Sequence, residues 1–63
     1  MCQMSAVIEQ DGKMELVREN IVRLDVLTEG VRISTLFEGP TELNGVTVDH
    51  IDFLEGKVFL HKQ

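Results

Sequence analysis

Turn-forming residue pairs interrupt the chain at short intervals, and this spacing limits which elements can form between them. Asp-Gly and Asn-Gly pairs tolerate the positive φ angles of tight hairpin turns, and Glu-Gly pairs do so less strongly. The runs between the breaks are rich in β-branched residues and too short for ordinary helices, so the spacing predicts an all-β chain. The breaks are Asp11-Gly12, Glu29-Gly30, Gly39-Pro40, Asn44-Gly45 and Glu55-Gly56.

Apolar and polar residues alternate along most of these runs, which is typical of half-buried strands. The run VTVDHIDFL changes parity at Asp49-His50, which predicts a β-bulge. QMSAVIEQ is expected to pair with MELVR across the first turn. The sequence therefore predicts one domain over residues 1–63, a meander of five to six short strands that forms a strongly bent antiparallel sheet or a small open barrel. Residues predicted to share an apolar stripe are Val22, Leu24 and Val26, then Val31, Ile33 and Phe37, then Val58 and Leu60.

The small size of the chain favours a partner subunit. A chain of 63 residues buries only about 60% of the surface that its unfolded form exposes. Small scaffolds usually need a disulfide, a metal or a partner, and a single cysteine excludes an intrachain disulfide. Some apolar residues fall opposite the main stripes, either as partly buried outer positions of a curled sheet or as a second surface that packs against another copy. We expect a homodimer. These residues are Val7, Val17, Leu27, Leu36 and Phe59.

The acidic balance of the chain makes nucleic acid an unlikely partner. Eleven acidic residues face six basic ones, for a net charge of −5, and there is no Trp or Tyr for base stacking. No segment approaches the roughly 20 apolar residues that span a bilayer. The first residues also lack the pattern of a secretory signal. Together with the single thiol, these observations predict a cytoplasmic protein that does not enter the membrane.

The sequence offers no recognisable catalytic constellation. HExxH, CxxC, GxSxG and a glycine-rich phosphate loop before a helix are all absent, so we do not expect an enzyme. His50 and His61 lie on different predicted strands and are interpreted as structural or surface residues outside the candidate site. A tetrahedral Zn(II) site with Cys2 could take extra ligands only from these two histidines.

Cys2 is the one residue whose position suggests chemistry. It is either an incidental thiol or, once Met1 is trimmed, an amino-terminal chelator. Trimming is general in bacteria when the second residue is small. The amine and thiolate of a terminal cysteine close a five-membered ring on a metal ion, and the Gln3 amide nitrogen can add a third donor. Such square-planar N and S donation suits Ni(II) or Cu(II). One chain end supplies two or three donors, so a second Cys2 across a two-fold axis would complete the site.

Several stretches together resemble the CooT family of small bacterial and archaeal proteins. They are the opening MC, the DG turn, EGVRISTLF, the NGV turn and the closing IDFLEGKVFLHKQ. The resemblance covers the whole chain in order, and its most specific element is the Cys immediately after Met1.

The resemblance implies a homodimeric nickel-binding protein with a small bent all-β fold. The family's namesake is associated with maturation of the nickel-containing carbon monoxide dehydrogenase, so a nickel enzyme is the implied client. Cys2 matches the cysteine that family members use for nickel, and Ni(II) is the implied ion. Members are also labelled predicted RNA-binding proteins because the fold is similar to Sm-type barrels. An RNA-binding or protein-interaction module without metal is therefore the alternative, and it predicts a basic patch formed by Arg18, Arg23 and Arg32.

Overall fold

A computed structural model describes residues 3–63 as a six-stranded sheet, and this range contains no helix. The predicted all-β class is confirmed. Since no helix is found between Gln3 and Gln63, that part of the chain contains none that could cross a membrane. The strands are β1 (Met4–Gln10), β2 (Lys13–Leu27), β3 (Gly30–Thr35), β4 (Thr41–Asn44), β5 (Val46–Asp52) and β6 (Lys57–Lys62).

The strand order across the sheet is β4-β3-β2-β1-β6-β5. The predicted hairpin between β1 and β2 is confirmed, with Gln10 opposite Lys13. The predicted meander is wrong at one point, because β6 pairs with β1 and runs parallel to it. After β4 the chain passes to the other edge of the sheet, where the β5–β6 hairpin places β6 beside β1 and leaves β5 outermost.

The sheet is strongly curled, as predicted, and β3 comes into contact with β5 across the interior of a half-barrel. Two backbone hydrogen bonds fasten this closure: the Gly45 N–H donates to the Glu29 carbonyl at 2.7 Å, and the Gln63 N–H donates to the Gly45 carbonyl at 2.9 Å. The core fills the concave side of the sheet. Its buried members are Ala6, Val31, Ile33, Val46, Val58 and Leu60.

Bulges in β2 change the face of the sheet on which part of its predicted apolar stripe lies. Asn20 has a positive φ of 58°, and the pairing register shifts between Ile21 and Arg23. An extra residue at a bulge reverses which of the following side chains point inward and which point outward. Leu24 therefore packs against the core, whereas Val22 is 62% exposed and its predicted position is wrong. Val26, predicted on the same stripe, lies near the β2–β3 turn and is 71% exposed.

The predicted stripe of β3 is correct for Val31 and Ile33, which are fully buried, but not for Phe37. The chain turns at Thr35, whose Oγ1 accepts a hydrogen bond from the Glu38 N–H at 2.9 Å. Phe37 lies within this turn and is 81% exposed, because the strand alternation ends before it.

The other predicted irregularity, in β5, is confirmed. The register of β5 against β6 shifts between Val48 and His50, so Asp49 is the bulged residue. Val58 and Leu60 of β6 are buried in the core as predicted.

The apolar residues predicted to lie off the main stripes differ in how deeply they are buried. Val7 is buried although it lies on the outer face, the convex side of the sheet opposite the core, and Phe59 lies beside it there. Val17 packs against the core, Leu27 is half-buried, and Leu36 is 66% exposed. A curled sheet with partly buried outer positions thus accounts for most of them, and Leu36 is the exception.

Candidate metal site at the amino-terminal end of the sheet

The candidate ligand Cys2 lies outside the described residues, and the structure describes the segment that follows it in the sequence. Gln3 precedes β1, and the Ser5 N–H donates a 2.8 Å hydrogen bond to the Gly56 carbonyl in the β5–β6 turn. A Cβ atom at Gly56 would lie 2.6 Å from the Gln3 carbonyl oxygen. Gly56 also has a φ of +70°, which side-chain-bearing residues rarely adopt. Glycine at this position therefore allows the start of β1 to lie directly against the turn.

The β5–β6 turn presents two large apolar side chains to solvent beside this anchor. The Glu55 N–H donates to Asp52 Oδ1 at 3.0 Å, which closes the turn around Phe53 and Leu54. Phe53 is 76% exposed and Leu54 is 97% exposed. Exposed apolar groups that lie together are typical of interaction surfaces.

The β3–β4 turn contributes two more exposed apolar residues at the same end of the half-barrel. Met4 pairs with Ile21, and Ile21 in turn pairs with Thr35, so the start of β1 is level with the end of β3. Leu36 and Phe37 follow Thr35. We call Leu36, Phe37, Phe53 and Leu54 the apolar rim. Of the rim, the sequence predicts only Leu36 as a member of a second apolar surface. Phe37 falls on the core stripe predicted for β3, and Phe53 and Leu54 fall within the predicted strand VTVDHIDFL.

Residues 3–63 do not provide a metal site of their own. No group of three or more His, Cys, Asp or Glu side chains in this range is arranged to hold a metal ion.

Both histidines lie on the outer face, away from the start of β1. The His50 ring stacks on Phe59 with a centroid separation of 4.3 Å, and its Nδ1 lies 2.6 Å from Asp49 Oδ2. His61 Nε2 lies 3.9 Å from the other oxygen of the same carboxylate. His61 is four residues along β6 from Lys57, the partner of Ser5, which corresponds to about 13 Å along a strand. The structure thus brings the histidines to Asp49, and it does not bring them to Gln3.

Each of the three arginines proposed for a basic patch has a carboxylate beside it. Arg32 Nη2 lies 2.9 Å from Glu42 Oε2, and Arg23 Nε lies 3.0 Å from Asp25 Oδ1. Arg18 Nε lies 4.0 Å from a Glu38 carboxylate oxygen. These pairings offset much of the positive charge that a phosphate backbone would require.

Fold and sequence together define a class: small all-β half-barrel domains with a cysteine directly after Met1 and an apolar rim at the end of the sheet where β1 begins. Within that class, the family model "CO dehydrogenase accessory protein CooT" matches residues 1–61. The chain belongs to the CooT family.

A solved structure agrees with this membership at the level of the fold. The crystal structure of a protein assigned as CooT from Carboxydothermus hydrogenoformans superposes with a TM-score of 0.84 and covers 98% of each chain at 21% sequence identity. No curated protein matches the sequence.

Proposed function

We propose that this protein binds Ni(II) through Cys2 in the cytoplasm and serves, without catalysis of its own, as a metallochaperone or nickel store for maturation of a nickel enzyme such as carbon monoxide dehydrogenase. The observation that carries the proposal is the position of the only cysteine, directly after Met1, in a chain of the CooT family. The family description, an accessory protein of CO dehydrogenase, supports the client.

The donor set of Cys2 fits nickel when Met1 has been removed. The terminal amine and the thiolate then bind as a five-membered chelate, and the deprotonated Gln3 amide is a third donor. Ni(II) accepts such N and S donors in a square-planar arrangement. Removal of Met1 is essential to the chelate, because a retained Met1 turns the Cys2 nitrogen into a peptide amide.

A homodimer supplies the remaining donor in this proposal. Gln3, which follows Cys2 in the sequence, lies against Gly56, and the apolar rim is exposed at the same end of the half-barrel. A second copy packed on this rim about a two-fold axis would bury Phe53 and Leu54 and bring two Cys2 residues together. The absence of a three-ligand cluster among residues 3–63 also favours a site shared between chains.

The test is a Ni(II) titration of Met1-trimmed protein, followed by absorbance and native mass spectrometry. We expect one ion per dimer and thiolate-to-nickel charge-transfer bands. Affinity should rise with pH, since binding displaces protons from the thiol and the amide. Cys2→Ser should abolish both signals, and protein that retains Met1 should bind more weakly. Tight stoichiometric binding by Cys2→Ser would refute the proposal.

A further inference from the structure

The outer face of the sheet is divided into a polar half and an apolar half. Over β2, β3 and β4 it carries the ion pairs of Arg23 with Asp25 and of Arg32 with Glu42. Polar residues are what the solvent side of a sheet normally presents. Over the first part of β2 and over β1, β6 and β5, the same face carries a row of apolar and aromatic residues, with Glu9 and His61 beside it.

A single cross-strand row forms most of this apolar half. Leu16 of β2 pairs with Val7 of β1, Val7 with Phe59 of β6, and Phe59 with His50 of β5. Met14 lies on the same face two residues before Leu16. We call Met14, Leu16, Val7, Phe59 and His50 the outer band.

The outer band is continuous and partly open to solvent. Val7 is only 8% exposed because its neighbours cover it, whereas Leu16 is 56% and Met14 54% exposed. The His50 ring lies flat on Phe59 and extends the apolar surface to the edge strand. Within residues 3–63, no part of the chain covers Leu16 and Met14 further.

The net charge beside the outer band is negative. Glu9, Asp11 and Asp49 line one cavity with a single lysine, Lys62. Lys57, two residues before Phe59 on β6, lies 3.8 Å from a Glu55 carboxylate oxygen. Glu9 pairs across strands with Met14 on one side and His61 on the other, and Asp49 lies against both imidazole rings. Among residues 3–63, no Lys or Arg nitrogen lies within 4.0 Å of either carboxylate. The carboxylates of the polar half, in contrast, are paired with guanidinium groups.

We propose that the outer band is a docking surface for a protein segment that carries an apolar side chain flanked by Lys or Arg. The apolar side chain would pack on Leu16 and Phe59, and the cationic groups would lie beside Glu9 and Asp49. A second copy of this chain would bring the same net negative charge to this face, and a phosphate backbone would be repelled. Charge complementarity therefore favours a basic protein partner. The proposal requires neither nickel nor Cys2, so its test is independent of the test of the proposed function.

The test uses nitrogen-15-labelled protein titrated with a short soluble peptide that carries Leu and Lys side chains, followed by two-dimensional NMR. We expect chemical-shift changes centred on Val7, Leu16 and Phe59. Binding should weaken with added salt, because the charges are exposed. The same peptide with Glu in place of Lys should not bind.

Matched surface variants make the test specific. Leu16→Glu and Glu9→Lys should each weaken peptide binding about tenfold, which corresponds to about 1.4 kcal/mol. The controls are Val26→Glu, at a more exposed apolar position off the band, and Glu29→Lys, at an exposed carboxylate in the β2–β3 turn. Equal weakening by the controls, or shift changes centred on the apolar rim, would overturn the proposal. Loss of a dimer in Leu16→Glu would also overturn it, because the band would then be an interface between copies.

Discussion

Gly56→Ala tests whether the anchor at the start of β1 is as tight as the geometry indicates. The left-handed φ of +70° costs a residue with a Cβ about 1–2 kcal/mol. The new methyl carbon would lie 2.6 Å from the Gln3 carbonyl oxygen, so the backbone must move apart. That movement would strain or break the 2.8 Å hydrogen bond from Ser5 to Gly56, which contributes about 0.5–1.5 kcal/mol. We expect a total loss of about 2–3 kcal/mol in the free energy of unfolding.

Gly12→Ala is the matched control for this substitution. Gly12 has nearly the same backbone conformation, with a φ of +78°, but no heavy atom lies within 4 Å of the position its Cβ would take. Both variants lose the same conformational freedom in the unfolded chain, so that effect cancels in the comparison. The difference between them, about 1–2 kcal/mol, therefore measures the contact with Gln3 and the hydrogen bond.

The assay is urea unfolding followed by far-ultraviolet circular dichroism, since the chain has no Trp or Tyr for fluorescence. A domain of this size has only about 3–5 kcal/mol of stability from its core, so the measurement is best made at low temperature. Equal losses in the two variants would refute the reasoning. If Cys2 binds nickel as proposed, Gly56→Ala should also weaken nickel binding while Gly12→Ala leaves it unchanged.

Three further substitutions probe the core, the strand packing and the surface charges. Ile33→Ala, at a fully buried position, should lower the free energy of unfolding by about 2–5 kcal/mol, which removes half or more of the stability of the domain and is measured by urea unfolding with circular dichroism. Gly30→Ala should prevent folding in the same assay, because its Cβ would collide with the Leu43 carbonyl oxygen of the adjacent strand. Arg32→Gln removes a partly exposed ion pair with Glu42 and should cost less than about 1 kcal/mol in urea unfolding, a difference that high salt should erase.

Local features of the fold were predictable because they depend on residues that are close in sequence. The Asp11-Gly12 hairpin follows from its turn residues, and both have the positive φ that such a turn requires. The bulge at Asp49 follows from the change of parity between Val48 and Ile51. Val31 and Ile33, on a regular strand without a bulge, were correctly assigned to the core.

Non-local features could not be read from the pattern. The parallel pairing of β1 with β6 joins Ala6 to Val58, and nothing in either run indicates that partner. The bulges of β2 depend on how it bends across two neighbouring strands, so the exposure of Val22 could not be predicted from alternation alone. The ion pair of Arg32 with Glu42 likewise appears only when β4 is placed beside β3.

The candidate site also has one part that the sequence predicts and another that depends on the fold. The position of Cys2 and its chelating chemistry are properties of the sequence, and the role of Cys2 stays a prediction. The anchor at Gly56 and the apolar rim required the fold, since they bring together the start of β1 and two turns that lie far apart in sequence. An exposed apolar surface at the end of the sheet where β1 begins is what a site shared between two copies needs.

Leu54→Lys tests that surface directly. Leu54 is 97% exposed, so its replacement should change the stability of a single chain by no more than about 0.5 kcal/mol. A lysine buried at the centre of a dimer interface would instead cost on the order of 2 kcal/mol or more, which weakens association about thirtyfold. Sedimentation velocity at micromolar concentration, with and without Ni(II), measures the difference.

The control for Leu54→Lys is Val26→Lys, which adds the same charge at a residue that is 71% exposed. Val26 lies about 16 Å along β2 from Ile21, and Ile21 is level with the start of β1. If the wild type and Val26→Lys are dimeric and Leu54→Lys is monomeric, the interface lies at the apolar rim. A monomeric wild type, with or without nickel, would show that the homodimer is wrong. A dimeric Leu54→Lys that still binds one ion per pair through Cys2 would keep the nickel site and move the interface elsewhere, because the two thiolates would then meet without help from the rim.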